Sequence, residues 1–268
     1  MKTMLTAILA LAAAPLLAQD KLPVDEIVTR ANRVAYYQGR DGRAKVSMSI
    51  KDSQGRERTR EFTILRLDLE PEGAAGDAFT GDQKMCVYFE RPADVNKMAY
   101  LVHKHVGADD DRWLFMPGLN LVKRIAASDK RTSFVGSDFF YEDVSGRNPD
   151  ADNHELVETT DTYYVLKNTP KDPKSVEFAA YTVWIHKGTF IPVKGEYTDA
   201  AGNRIREMQA LEVKEIQGFQ TVTKSMLSDL RTGSSTTITY NKVEYNLGLA
   251  EDLFTERYLR NPPRAQLR

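Results

Sequence analysis

Three places in the chain carry residues whose types and spacing suit chemistry. His103 and His105 fall on one face of a predicted strand and precede Asp109-Asp110-Asp111, so two imidazoles and a carboxylate could be presented to zinc. Nothing else in the sequence completes that site, and an exposed strand end followed by an acidic turn explains these residues as well. His154 and His186 stand alone. Gly136-Ser137-Asp138 places a hydroxyl beside a carboxylate, but it lacks the flanking glycines and the strand-to-helix setting of a nucleophile elbow. Cys86, the only cysteine, has no evident activating partner, and no glycine-rich phosphate loop occurs. These residues imply no catalytic centre, no metal and no cofactor.

The elements that would have to position a site are mostly strands. Residues 23–37 place Val24, Ile27, Val28, Ala31 and Val34 at spacings of three and four, which predicts one amphipathic helix opened by Pro23 and stopped near Gly39. After it the period is two. Ala44, Val46, Met48 and Ile50 alternate with polar residues, and Ser53-Gln54-Gly55 turns the chain into a second strand through Phe62 and Ile64. In that strand the apolar phase changes from even to odd at Leu65, which predicts a bulge or bend. Further strands are expected at 85–90, 99–105, 112–116, 121–126, 155–167, 177–186, 192–198, 204–214, 220–229 and 236–244, with hairpin turns at 199–203 and 231–234. The fold class is α+β, mainly antiparallel β, in a large curved sheet or barrel with its apolar face inward. Residues 128–150 break the hairpin rhythm. That connection carries Phe134, Phe139, Phe140 and Tyr141 with Gly136 and Gly146 as hinges, and four aromatics on a connection must pack on something. A lid over a cavity and a static plug both answer to this. Glu142 and Asp143 beside them could cap a short helix or pair with Lys123 and Arg124.

The N-terminus bounds location. Met1-Lys2-Thr3 and the apolar run to Leu17, ending at Ala18, read as a signal peptide cleaved after Ala18, which leaves 19–268 as one exported, soluble domain. No cysteine follows to receive a lipid anchor, and with Cys86 alone no internal disulfide can form. The 37 basic and 38 acidic residues give no global field to recruit nucleic acid or an anionic membrane.

Two motifs in the middle of the chain point to a family. The strands Trp113-Leu114-Phe115-Met116-Pro117 and Lys123-Arg124-Ile125, followed by Ser133-Phe134-Val135-Gly136-Ser137-Asp138-Phe139-Phe140-Tyr141-Glu142-Asp143, resemble the outer-membrane lipoprotein-sorting (LolA/LolB-like) family, in its larger homologues. The order extends to Arg91-Pro92-Ala93-Asp94 upstream and Leu253-Phe254-Thr255-Glu256-Arg257-Tyr258 downstream. Phe115 stands where Tyr is usual and Met116 where Leu is common. The resemblance implies an incomplete, strongly curved antiparallel barrel whose apolar concave face is covered by helices and whose cavity receives acyl chains. On it rests the expectation of a periplasmic monomer that carries lipid or lipoprotein acyl chains toward the outer membrane, between an inner-membrane exporter and an outer-membrane acceptor. The candidate lining is Val46, Met48, Ile50, Val87, Phe89, Trp113 and Phe115, under a lid of Phe134, Phe139, Phe140 and Tyr141. Period-two apolar faces also fill ordinary cores, and Met48, Met85, Met98, Met116, Met208 and Met226 suit a surface that repacks around varied ligands. Alternatives are an accessory of a resistance-nodulation-division exporter that binds a free lipid such as a hopanoid or glycolipid, an interaction module using its outer face, and a metal enzyme at His103 and His105.

Overall fold

The computed structural model describes residues 22–69 and 81–267, so the expected signal peptide lies outside the described residues. A helix, α1 (Val24–Tyr36), precedes thirteen strands: β1 (Asp41–Lys51), β2 (Glu57–Asp68), β3 (Gln83–Arg91), β4 (Ala99–Lys104), β5 (Asp111–Met116), β6 (Leu121–Ile125), β7 (Asp152–Thr159), β8 (Tyr163–Pro170), β9 (Ala180–His186), β10 (Pro192–Thr198), β11 (Arg204–Ile216), β12 (Phe219–Asp229) and β13 (Ser234–Tyr245). Among the described residues two further, short α-helices occur, α2 (Tyr141–Ser145) and α3 (Glu256–Arg260), beside five single 3-10 turns. All thirteen strands form one curved, unclosed antiparallel sheet in the order β6-β5-β4-β3-β2-β1-β13-β12-β11-β10-β9-β8-β7. Every neighbour but one is a sequence neighbour. The exception, β1 against β13, zips the two halves together at the middle of the sheet, and the consecutive strands β6 and β7 become its two opposite edges.

Local chemistry makes the hairpins. Asp52 accepts the backbone N–H groups of Gln54 and Arg56, Asp199 those of Ala201 and Asn203, and Asp229 that of Arg231, so three of the turns are built on the same aspartate-to-backbone device. The stretch 155–167, expected as one strand, is a hairpin of β7 and β8. Its Thr160-Asp161-Thr162 turn holds neither Gly nor Pro, and Thr160 Oγ1 accepts from the Thr162 and Tyr163 N–H groups instead.

Both faces of the first half of the sheet are buried. On one, called here the cavity face, Val46, Met48, Ile50, Phe62, Val87, Phe89 and Tyr100 form a core with Phe134, Phe139 and Tyr141. On the opposite face Leu65, Leu67, Cys86, Leu101 and Phe115 pack against Leu253, Phe254 and Leu259 of the C-terminal segment. This accounts for the phase change in β2. No bulge lies at Leu65, since the β1 pairing runs unbroken from Asp41↔Leu67 to Lys51↔Glu57. Phe62 serves one core and Leu65 the other, and a strand buried on both faces has no single phase. The register shifts fall elsewhere, at Lys45/Val46 and Glu61/Phe62.

Candidate functional site

The apolar stripe of α1 is buried against the second half of the sheet: Ile27 and Ala31 pack on Leu166 of β8 and Ile185 of β9. Acidic Asp25 and Glu26 in the first turn and Arg33 in the last suit the helix dipole. Between the C-terminal half of this helix and the sheet lies an open cavity of 460 Å³, within the range of small-molecule sites, about 300–1,000 Å³. Its wall is mainly apolar. Val28 and Ala31 of α1 face Ile64 and Met85 on one side, Val183 and Ile185 on another, and Met208, Leu227 and Ile238 across the floor.

The remaining wall is the connection from β6 to β7, which contributes Phe134, Phe139 and Val144 to the cavity. It is fastened by buried charge. Asp143 accepts the Phe140 N–H at 2.7 Å, starting α2, and pairs with Arg206 at 2.6 Å and Arg131 at 3.3 Å. Glu142 lies between Arg131, Arg147 and Lys130 at 3.1–3.3 Å. Arg131 reaches across to Glu177 at 2.5 Å, and Arg147 closes on Asp152 at 2.8 Å. The ring of Phe140 is held between the guanidinium groups of Arg131 and Arg206, 4.6 and 4.2 Å from its centroid. Burial pushes the Asp143 and Glu142 carboxyls up, but the arginines outweigh it, Arg206 for Asp143 and Arg147 for Glu142, and hold both below the usual carboxylate range. Farther along, the Lys104 ammonium donates to the Gly146 carbonyl at 2.5 Å, and burial lowers its pKa. Glu142 and Asp143 therefore cap and anchor, and their partners are not Lys123 and Arg124; Arg124 pairs with Asp111.

The candidate lining residues divide. Val46, Met48, Ile50, Val87 and Phe89 are on the cavity face, but they lie under the connection, in the core with Phe134, and not along the cavity wall. Trp113 and Phe115 are on the opposite face, with Leu101 and the C-terminal segment. Of the four aromatics of the connection, Phe134 and Phe139 meet the cavity, Tyr141 packs on Tyr100 with centroids 5.1 Å apart, and Phe140 is taken up by the arginines. Of the wall residues, Met85 and Met208 were among the methionines suited to an adaptable surface, whereas the others of β8 to β12, and the tyrosines Tyr36, Tyr197 and Tyr240, were not singled out from the sequence. Their signal was present as ordinary alternation, which marks a buried face without saying what it faces.

The other candidate groups are committed to structure. His103 Nε2 meets the Phe254 carbonyl at 2.8 Å, while His105 sits between Asp82 and Asp111, 3.2 Å from each. Among the described residues no three His, Cys, Asp or Glu side chains gather to hold a metal. Ser137 Oγ donates to the Phe134 carbonyl at 2.7 Å, and the Asp138 carboxylate receives the Thr236 hydroxyl at 2.6 Å. Cys86 is wholly buried, and burial pushes its thiol up to about 12. No described helix is long and apolar enough to cross a membrane.

The single curved, unclosed antiparallel sheet is a LolA-like fold. The chain belongs to the family whose model, described as "Uncharacterized protein"-like, matches residues 81–261. Its structural neighbours include a DUF1329 family protein, a putative outer membrane lipoprotein-sorting protein domain and a LolA superfamily protein. A DUF1329 family protein from Desulfovibrio piger is 29% identical, with a TM-score of 0.77 over 88% of this chain and 99% of that one. A putative outer membrane lipoprotein-sorting protein domain from Vibrio parahaemolyticus is 28% identical, with a TM-score of 0.76 over 88% and 97%. A LolA superfamily protein from Nitrosomonas europaea, 20% identical with a TM-score of 0.65 over 89% and 100%, shares the fold. No curated protein gives a significant match.

Proposed function

We propose that this protein is a periplasmic carrier that holds the acyl chains of a lipid or lipoprotein in the cavity between α1 and the sheet, for transfer toward the outer membrane. Residues 1–18 are its removed signal peptide, and 19–268 work as one unit. The observation that carries this reading is the cavity itself, 460 Å³ of mainly apolar space that is only partly enclosed. The likeness to the lipoprotein-sorting domain from Vibrio parahaemolyticus supports it. The reading requires no covalent chemistry.

Burying acyl methylenes is worth about 0.8 kcal/mol each, so a carrier that engulfed several whole chains would never release them. A partly enclosed cavity meets that limit by covering part of the cargo. In this reading α1 covers the apolar face, and Phe134 and Phe139 are the part of the 126–151 connection that cargo touches, a lid fastened by the Arg206–Asp143 and Arg131–Glu177 pairs. Cargo longer than the cavity displaces these rings or extends out of the cavity into solvent.

Mass spectrometry of organic extracts from protein purified gently out of its own periplasm tests the proposal. An acylated species in stoichiometric amount is expected, and its mass separates a lipoprotein from a free lipid. Extracts without lipid, from protein that also fails to displace a fluorescent acyl probe, would end the carrier reading and leave an interaction module.

A further inference from the structure

The cavity is apolar but not uniformly so. Three tyrosines from three separate elements face it: Tyr36 at the end of α1, Tyr197 on β10 and Tyr240 on β13. Each ring is packed, Tyr36 against Gly146, Tyr197 stacked on Tyr181 with centroids 5.0 Å apart, and Tyr240 against the core of the cavity face. None of the three hydroxyls has a protein hydrogen-bond partner among the described residues. The contrast within the same wall is informative. Tyr181 donates to Asp152 at 2.8 Å, and Tyr245 shares a hydrogen bond of 2.9 Å with Thr221. The wall thus satisfies the phenols that belong to its structure and leaves three facing the space that cargo would fill.

A phenol in an apolar cavity is costly to leave without an acceptor when cargo displaces its water. The acceptor has to come from the cargo, and its charge is constrained. Arg43, Arg66, Arg131 and Arg147 also reach the cavity, but Glu244 matches the first, Asp68 the second, Glu142 and Glu177 the third and Asp152 the fourth, so among the described residues no unmatched arginine is offered there. The Asp143 carboxylate lines the same region and, after burial and Tyr197, raises the Tyr36 pKa further, with Tyr240 acting in the same direction. Asp143 is itself matched by Arg206 and Arg131, so a cargo carboxylate would lose its water there with no free cation to pair with, whereas a neutral carbonyl accepts from a phenol at no such cost.

Resting on the carrier reading, we propose that Tyr36, Tyr197 and Tyr240 form a carbonyl-recognition site inside the cavity, selecting cargo whose acyl chains are joined through neutral esters or amides over bare hydrocarbon or free fatty-acid carboxylate. Ester-linked chains are seated with their carbonyls at the phenols and their tails along Met208, Leu227 and Ile238. The tyrosines thereby set the depth to which cargo enters.

The test is competition against phenylnaphthylamine, a fluorescent apolar probe, by dioleoylglycerol, by its ether counterpart dioleylglycerol, which lacks both carbonyls, and by oleate. The wild-type protein is compared with Tyr36→Phe, Tyr197→Phe, Tyr240→Phe and the triple variant, each of which keeps the packed ring. The ester is expected to bind about tenfold more tightly than the ether, and the triple variant to bind both like the wild-type ether complex. Equal binding of ester and ether by wild type, an ester preference that survives in the triple variant, or oleate binding best would each overturn the site while leaving the carrier intact. If no acyl compound competes, the carrier reading falls and the site falls with it.

Discussion

The ring of Tyr36 lies so close to Gly146 that a Cβ on residue 146 would sit 2.9 Å from Cε1 and 3.0 Å from Cζ. The last residue of α1 is thus seated on the backbone of the connection that joins the two edge strands, β6 and β7. Gly146 also has φ of +82°, a conformation strained for any L side chain. Gly146→Ala combines both penalties and should destabilise the protein by about 2 kcal/mol in urea unfolding. Because the shift moves the Tyr36 ring, probe affinity should fall as well, even in the fraction that remains folded.

Arg206→Met tests the fastening. It leaves the buried Asp143 with Arg131 alone and should cost about 3 kcal/mol, measured by denaturant unfolding. The double variant Arg206→Met, Asp143→Asn removes the stranded charge along with its partner, and it should recover part of that loss. A double variant no better than the single one would mean that the arginine acts through its stacking on Phe140.

Acid and base should act on different places. The Asp143 and Glu142 pKa values are held below those of the unfolded chain, so their contribution is full above about pH 4.5 and fades as pH falls through the lower folded values. His105 has the opposite sign. Burial lowers its pKa, but Asp82 and Asp111 outweigh this and raise it, so its contribution is full below about pH 6.5 and is lost as pH rises through the folded value. Hydrogen exchange should therefore show 126–151 loosening in acid and the region around residues 82, 105 and 111 loosening above neutrality. His105→Gln should abolish only the second effect.

Trp113 offers a check on which face matters. Its ring meets His103 edge-on at 5.0 Å, and His103 holds the Phe254 carbonyl. Trp113→Ala should cost about 3 kcal/mol and expose 250–267 to limited proteolysis, with the probe affinity of the folded protein unchanged. A loss of affinity at unchanged stability would put the ligand on the opposite face.

Much of the architecture is legible in the residues. Alternation placed most of the strands, the apolar stripe of 24–34 placed α1, and the central motifs named the right structural class. Faces were not legible. Trp113 and Phe115 alternate in β5 just as Val46 and Met48 do in β1, yet the first pair meets the C-terminal segment and the second meets the connection. Period two separates the two sides of a strand but not what covers them. Apart from Met85 and Met208, the cavity wall was missed for the same reason, since Val183, Leu227 and Ile238 carry no local mark beyond hydrophobicity. Nor could sequence spacing show that Arg206 and Glu177 converge with Arg131 on one buried network, because the three come from separate parts of the chain.

The pairing of β1 with β13 also bears on how the chain reaches this state. The Asp41 carboxylate that receives the Leu247 N–H lies 206 residues away along the chain, and the centre of the sheet is made of strands from its two ends. Contacts of such separation are slow to form, because nearly the whole loop must be closed before they return any energy. A growing chain can assemble β1 to β6 as a meander, but β1 keeps an open edge until β13 has been made. Whether the protein leaves a ribosome or is threaded across a membrane, its folding is timed by β13, and the cavity cannot close around anything before that strand has been made.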